Sequence, residues 1–272
     1  MSYYLMQHPQ VFMPENLEPY YFARLDVPQN YKREIISDEK KYLSLFKNAK
    51  NCKAVGESSP VYLYCPHSAL EIKNRFPNSK LIISLRNPIE IAYSEYFSLK
   101  FMGFDQNRSF DELLDSSEEQ LTQNKFHIDS LLEAGFYSKH IKRFQKIFPK
   151  NQIKIIIFEE YIKNTVPTVD SILSFLGIKE SITFDVAPKG AYKVPRNFAS
   201  QKLMNNFTFR KAAKFIIPTV TRQKIGERFL VKESSRPPLK QNQRKRLMQI
   251  YQDDVENLGE LLGRNLPWKD FY

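Results

Sequence analysis

The 272-residue sequence has 42% hydrophobic side chains and 41 Lys and Arg against 30 Asp and Glu, a formal net charge of +11, so it can bury a sizeable core and favours anionic partners over neutral ones. Cys52 and Cys65, the two cysteines, lie at spacings that suit neither a disulfide framework nor a zinc site, and no metal is expected. No stretch approaches the ~18 apolar residues that span a bilayer, and MSYYLMQHPQVF carries no secretory leader, which leaves a single domain over residues 1–272 with no membrane span and a reducing, cytoplasmic setting as the expectation.

In chain order, a short first helix ends at the turn Gln7-His8-Pro9, and the loop NLEPYYF (Asn16 to Phe22) follows. KAVGE (Lys53 to Glu57) reads as a weak strand ahead of a helix at HSALEIKNRF, where His67 stands at the helix start. KLIISLR (Lys80 to Arg86) is short, apolar and β-branched, lies between Pro77-Asn78 and Asn87-Pro88, and predicts a buried parallel-type strand. Asn87 suits an N-cap and Pro88 the first helical position, and Ile89, Ala92, Tyr93, Tyr96 and Phe97 repeat at helical spacing after them.

Further on, YSKHIKRFQKIF predicts a helix stopped at Pro149, IKIIIF (Ile153 to Phe158) a second clear strand, and VDSILSFLG a helix closed by Gly177. Three strands alternating with helices give an α/β chain with an open parallel sheet flanked by helices, whose ligands bind beyond the carboxyl ends of the strands. Ala187 to Pro238 reads as surface cover with moderate helical signal from Ser200 to Phe215. NQRKRLMQIYQDDVENLGELLG then forms a packing helix closed by Gly263, with Trp268 docking behind it.

Chemistry concentrates at LRNPIEIAYS. Arg86 falls at the carboxyl end of a strand and Ser94 on the helix that starts there, so both can point at one ligand; a guanidinium grips a phosphate bidentately and a hydroxyl adds a neutral donor. By spacing alone, a surface arginine and an ordinary helical serine would look the same. Glu18 read alone is a solvated loop carboxylate, Glu57 a strand-end carboxylate, and Lys189, Lys193 and Arg196 a charged loop, KGAYKVPRN. His8 and His67 each sit beside a proline at a helix boundary, where capping or packing suits them better than catalysis.

GESSPVYL, PNSKLIISLRNPIEIAYSEYF and GFYSKHIKRFQKIFPKNQIKIIIFEEY together resemble the sulfotransferases that use PAPS (3′-phosphoadenosine 5′-phosphosulfate), closest to the branch of the heparan sulfate enzymes and their bacterial relatives. The likeness runs from HPQVFMP to LLGRNLPW at Leu261 to Trp268. It implies a fold like that of the P-loop NTPases, with PAPS as co-substrate and its 3′-phosphate held by Arg86 and Ser94. It also implies Glu18, in the stretch matching K-E-P-H-F-F, as general base, Glu57 among residues that bind the acceptor or position the base, and Lys193 and Arg196 on a late loop closing over the nucleotide. Ile91 replaces a usual Arg that is not a phosphate ligand, whereas Leu17 and Tyr20 replace a usual Lys and His beside the base.

The implied reaction is in-line transfer of a sulfuryl group to a hydroxyl or amine of an acceptor such as a polysaccharide or lipid, with catalysis by positioning and charge stabilisation. In the family a lysine loop, K-x-G-T-T, follows the first strand and wraps the 5′-phosphosulfate; the sequence holds no such loop, and Met1 aligns within the helix after it. An N-terminally truncated reading frame is therefore expected. A catalytically inactive fold that binds PAP or an acidic glycan is the alternative, and nucleic-acid binding has only net charge in its favour, so no nucleic-acid partner is expected.

Overall fold

The computed structural model describes residues 1–28, 35–101, 107–123, 126–186, 193–197, 200, 203 and 229–272. The first half of the chain gives α1 (Ser2–Leu5), β1 (Val11–Phe12), α2 (Glu39–Ser44), β2 (Ala54–Val55), α3 (Ser68–Arg75), β3 (Leu81–Leu85), α4 (Pro88–Phe101) and α5 (Phe110–Thr122). The second gives α6 (Tyr137–Ile147), β4 (Ile153–Ile157), α7 (Phe158–Tyr161), α8 (Thr165–Leu176), β5 (Lys193–Pro195), β6 (Val231–Glu233) and α9 (Gln241–Leu262).

β3 and β4, the two strands most evident in the sequence, form a parallel ladder from Leu81 opposite Ile153 to Leu85 opposite Ile157. Their side chains alternate between two cores, as a period of two requires. Ile83, Leu85 and Ile157 join a cluster built with α4, α5, α6 and α9, while Ile156 joins α8 and Leu5 of α1 in another. Helical layers on both faces explain why KLIISLR has no consistently polar side.

The weaker strand does not join this ladder. β2 pairs in parallel with β1, Val11 opposite Ala54 and Phe12 opposite Val55, so among the described residues the expected open sheet is present as two parallel pairs. A third, antiparallel pair, Lys193 opposite Glu233, lies at the two ends of the stretch read as surface cover. Strands of three residues are too short to show a period. The helical signal from Ser200 to Phe215 falls, apart from single positions, outside the described residues.

Helix boundaries follow their caps. Asn87 Oδ1 accepts from the Ile89 N–H (3.0 Å), and α8 and α9 end at Gly177 (φ 87°) and Gly263 (φ 66°), whose left-handed backbones glycine adopts without penalty. α5 was not anticipated, although Ser109 and Glu112 form its reciprocal capping box. α6 borrows its cap from another helix: Asp254 of α9 accepts from the Ser138 N–H (3.0 Å) and Oγ (2.5 Å), which places a carboxylate at the positive end of the α6 dipole. Trp268 is buried as expected in the cluster that α9 helps build.

Candidate active site

On one side of the site, Arg86 leaves the end of β3. Its backbone is clamped by Tyr137, the first residue of α6, whose hydroxyl donates to the Arg86 carbonyl (2.8 Å) and accepts from its N–H (3.4 Å). Its guanidinium lies over the Phe158 ring (5.2 Å) and 3.9 Å from Glu90, both partners of that ion pair being about one-third exposed (32% and 33%). Such a long, wet pair contributes little and exchanges readily for a better anion. Glu90 is held more tightly by Arg244 (2.7 Å), which also grips Asp270 (2.9 Å).

Ser94, two turns along α4, accepts a hydrogen bond from Arg236 (3.0 Å). Arg86 and Ser94 thus flank Glu90 at one strand-to-helix junction, with a second guanidinium already on the serine. The junction is latched from the C-terminus. Glu159 accepts from the Asn87 N–H (2.9 Å) and the Trp268 indole (3.0 Å), and Asn87 Nδ2 donates to Asp270 (2.7 Å).

The other side is built on loops. Glu18 is exposed and accepts from the Tyr20 hydroxyl through Oε2. Glu57, half-buried two residues beyond β2, takes Tyr42 (3.0 Å) and Tyr62 (2.9 Å) on Oε1 and Ser59 (2.5 Å) on Oε2. Burial pushes the Glu57 carboxyl above its ordinary range, the three hydroxyls offset part of that push, and the charge of Glu18 adds a smaller upward one.

Residues 21–261 match the family profile "Sulfotransferase domain". This chain belongs to the sulfotransferase family. The crystal structure of a sulfotransferase from Alicyclobacillus acidocaldarius superposes with a TM-score of 0.71 at 25% identity, over 98% of this chain and 92% of that one. Membrane-associated sulfotransferase kil1 of Dictyostelium discoideum is 31% identical over 103 residues, 38% of this chain and 21% of that protein. Bifunctional heparan sulfate N-deacetylase/N-sulfotransferase 1 of Caenorhabditis briggsae is 27% identical over 190 residues, 66% of this chain and 21% of that protein. Human heparan sulfate glucosamine 3-O-sulfotransferase 6 is 24% identical over 185 residues, 66% of this chain and 48% of that protein. The chain thus spans from about a fifth to about half the length of the last three relatives.

Within this sulfotransferase domain the two clusters share α6. Tyr137 at its start holds Arg86, and Arg143 on its second turn donates to the carbonyl of Leu63 (2.5 Å), next to the Tyr62 that holds Glu57. Lys193 lies in β5, its side chain outside the described positions, and Arg196 is exposed with its N–H on the Leu230 carbonyl (2.8 Å). His8 is buried, with Nε2 at the Glu180 carbonyl (3.0 Å) and Nδ1 accepting from the Gln10 N–H (3.1 Å). His67 pairs with Asp26 (2.5 Å) just ahead of α3. His8 is thus packed inside the chain, whereas the His67 side chain is exposed at the helix boundary and makes no cap hydrogen bond there. Arg236 and Arg244 are residues of these clusters that the sequence did not single out; Arg236 stands between Ser235 and Pro237 and Arg244 in the basic run QRKR, and only tertiary structure brings their guanidinium groups to Ser94 and Glu90. Among the described residues no group of His, Cys, Asp and Glu could hold a metal ion, and no helix is long and apolar enough to cross a membrane.

Proposed function

We propose that this sulfotransferase domain moves a sulfuryl group from PAPS to a hydroxyl or amine of a carbohydrate acceptor. The observation that carries the reading is the placement of Arg86 and Ser94 on one strand-to-helix junction, on either side of Glu90 and with Arg236 on Ser94, in a chain of this family. A 3′-phosphate would displace the loose Glu90 contact of Arg86 and take donors from Arg86, Ser94 and Arg236 together, which suits its charge and its three oxygens. Lys193 and Arg196, from the β5 stretch, would close over the nucleotide.

On the acceptor side, Glu18 takes the proton from the acceptor hydroxyl as its oxygen attacks sulfur. The new O–S bond forms as the bond from sulfur to the 5′-phosphate of the donor breaks, and PAP leaves with that bridging oxygen. A carboxylate held within hydrogen-bond reach of the acceptor is chemically apt for this step. The heparan sulfate enzymes among its relatives and the net charge of +11 both favour a polyanionic glycan over a lipid, and the free thiols of Cys52 and Cys65 suit a reducing compartment.

Transfer of labelled sulfate from PAPS to desulfated heparan sulfate, chondroitin, and lipid acceptors tests this directly. Label on a glycan is expected, and Glu18→Gln should cut turnover by roughly a hundredfold with PAP affinity unchanged. PAP binding without transfer to any acceptor would replace the enzyme by an inactive nucleotide-binding fold, and turnover surviving in Glu18→Gln would place the base elsewhere.

A further inference from the structure

Glu18 is exposed and lies on a loop, yet a general base must be held at a fixed point. The Glu57 cage shows how that is done. Ser59 and Tyr62 both donate to Glu57, and each has one hydroxyl proton to give, so each presents only lone pairs to its other partners. Those partners are two backbone amides of the loop that carries Glu18: the Tyr20 N–H donates to Ser59 Oγ (3.3 Å) and the Phe22 N–H to the Tyr62 hydroxyl (3.3 Å). The same loop is pinned upstream by the Ser58 N–H, which donates to the Leu17 carbonyl (2.8 Å).

Between these amides Tyr20 has φ 56°, the left-handed region, where a bulky residue is unusual. Strain of about 1–3 kcal/mol persists at such a residue only where its surroundings over-determine it. Here the surroundings are the two hydroxyls fixed by Glu57 and a buried ring, Tyr20 being 7% exposed. The left-handed turn brings the Tyr20 hydroxyl back to Glu18, two residues earlier, where it donates to Oε2. Glu57 has both of its oxygens engaged within the chain, an arrangement suited to holding a loop rather than reaching for an acceptor.

We propose that Glu57 is a positioning residue for sulfuryl transfer, acting through Ser59 and Tyr62 on the left-handed Tyr20, whose hydroxyl aims the Glu18 carboxylate at the acceptor. The proposal rests on Glu18 being the base. A carboxylate displaced by an ångström loses about a hundredfold in rate, so the relay should be felt in kcat and not in binding.

The test combines amide hydrogen exchange with kinetics in Glu57→Gln, Ser59→Ala, Ser59→Thr and Tyr20→Phe. Exchange at the Tyr20 amide should rise about tenfold or more in Glu57→Gln and Ser59→Ala and return in Ser59→Thr, whose hydroxyl is retained. On the glycan that takes label from PAPS, Glu57→Gln, Ser59→Ala and Tyr20→Phe should each lower kcat by roughly ten- to a hundredfold while acceptor KM stays within about twofold. PAP affinity, measured by calorimetry, should be unchanged, which shows that each variant is folded; Tyr20→Phe and Ser59→Ala serve if Glu57→Gln is not. A rise in acceptor KM at constant kcat would overturn the proposal and make Glu57 an acceptor contact. Unchanged kcat in all three, with Glu18→Gln inactive, would overturn the relay and leave the base standing. An active Glu18→Gln would remove the base, and with it the catalytic half of the proposal, while unaltered exchange would remove the structural half independently.

Discussion

On the side proposed to hold the 3′-phosphate, Arg86 and Ser94 are carried by a strand end and the helix that follows it, and their neighbours are charges: Glu90, Arg236, Arg244, Asp270. On the side proposed to hold the base, Glu18 is carried by a loop whose amides meet hydroxyls gathered around the single carboxylate of Glu57. The first arrangement suits a ligand that arrives fully charged, because partly exposed ion pairs such as Arg86 with Glu90 can be exchanged for stronger ones at small cost. The second suits a group that must not move. There the loop's contacts run through hydroxyls hydrogen-bonded to one partly buried carboxylate, and such satisfied polar networks rigidify what they hold.

The phosphate side should yield the larger loss when broken. Arg86→Ala is expected to weaken PAP binding by about 2–5 kcal/mol while adenosine 5′-phosphate, without the 3′-phosphate, binds as before. Titration calorimetry with both nucleotides decides it, and equal losses for the two would detach Arg86 from the 3′-phosphate. The shared brace can be broken next. A Cβ at Gly135, just ahead of α6, would lie 2.6 Å from Cζ of Tyr251, a ring with no exposed surface whose hydroxyl donates to the Leu132 carbonyl (3.0 Å). Gly135→Ala should therefore cost about 1–3 kcal/mol in urea unfolding. It should also weaken PAP binding and turnover together, since Tyr137 and Arg143 lie on the same helix.

The contrast also explains what could be read beforehand. β3, β4, α4 and α9 announce themselves by period and punctuation, and Arg86, Ser94 and Glu18 came from motifs attached to those elements or to a recognisable stretch. The pairing of β2 with β1, the β5–β6 pair and the Arg236 contact to Ser94 depend on segments far apart in the chain, 142 residues apart in the last case. Two-residue strands leave no periodic trace. The cage around Glu57 was invisible for another reason: Tyr42, Ser59 and Tyr62 are ordinary residues in sequence, and only folding directs their hydroxyls to one carboxylate.

A pH scan separates the brace from both halves of the site. His140 on α6 has no exposed surface, and its Nε2 meets the Glu133 carbonyl (2.8 Å). Burial lowers its ionisation from 6.5 to about 3, with only partial relief from that hydrogen bond. The unfolded chain takes up a proton below 6.5 and the folded chain does not until about 3. The stabilisation is therefore complete above 6.5 and is lost as pH falls through that window, by about 1.4 kcal/mol per pH unit. His140→Gln should flatten the stability profile between pH 6.5 and 5 relative to the parent; an identical slope would mean that other groups set the acid limb.

The smallest effect sharpens the comparison most. Glu90 places a negative charge beside the residues proposed to hold an anion, and Arg244 (2.7 Å) offsets that charge more closely than Arg86 (3.9 Å). If the phosphate side works by exchange of loose ion pairs, Glu90→Gln should free Arg86 without disturbing the fold, because Arg244 keeps Asp270 (2.9 Å). PAP should then bind about two- to fivefold more tightly at low salt, a gain below about 1 kcal/mol that is of the size expected for a partly exposed charge. The gain should shrink in high salt as screening removes the repulsion, and adenosine 5′-phosphate should show none of it. Tighter binding of both nucleotides would mean that Glu90 acts on the whole cleft through its field, and unchanged PAP affinity that Arg244 already cancels it. A loss would show that Glu90 holds Arg86 in place for the phosphate, making the phosphate side, like the base side, a preset geometry.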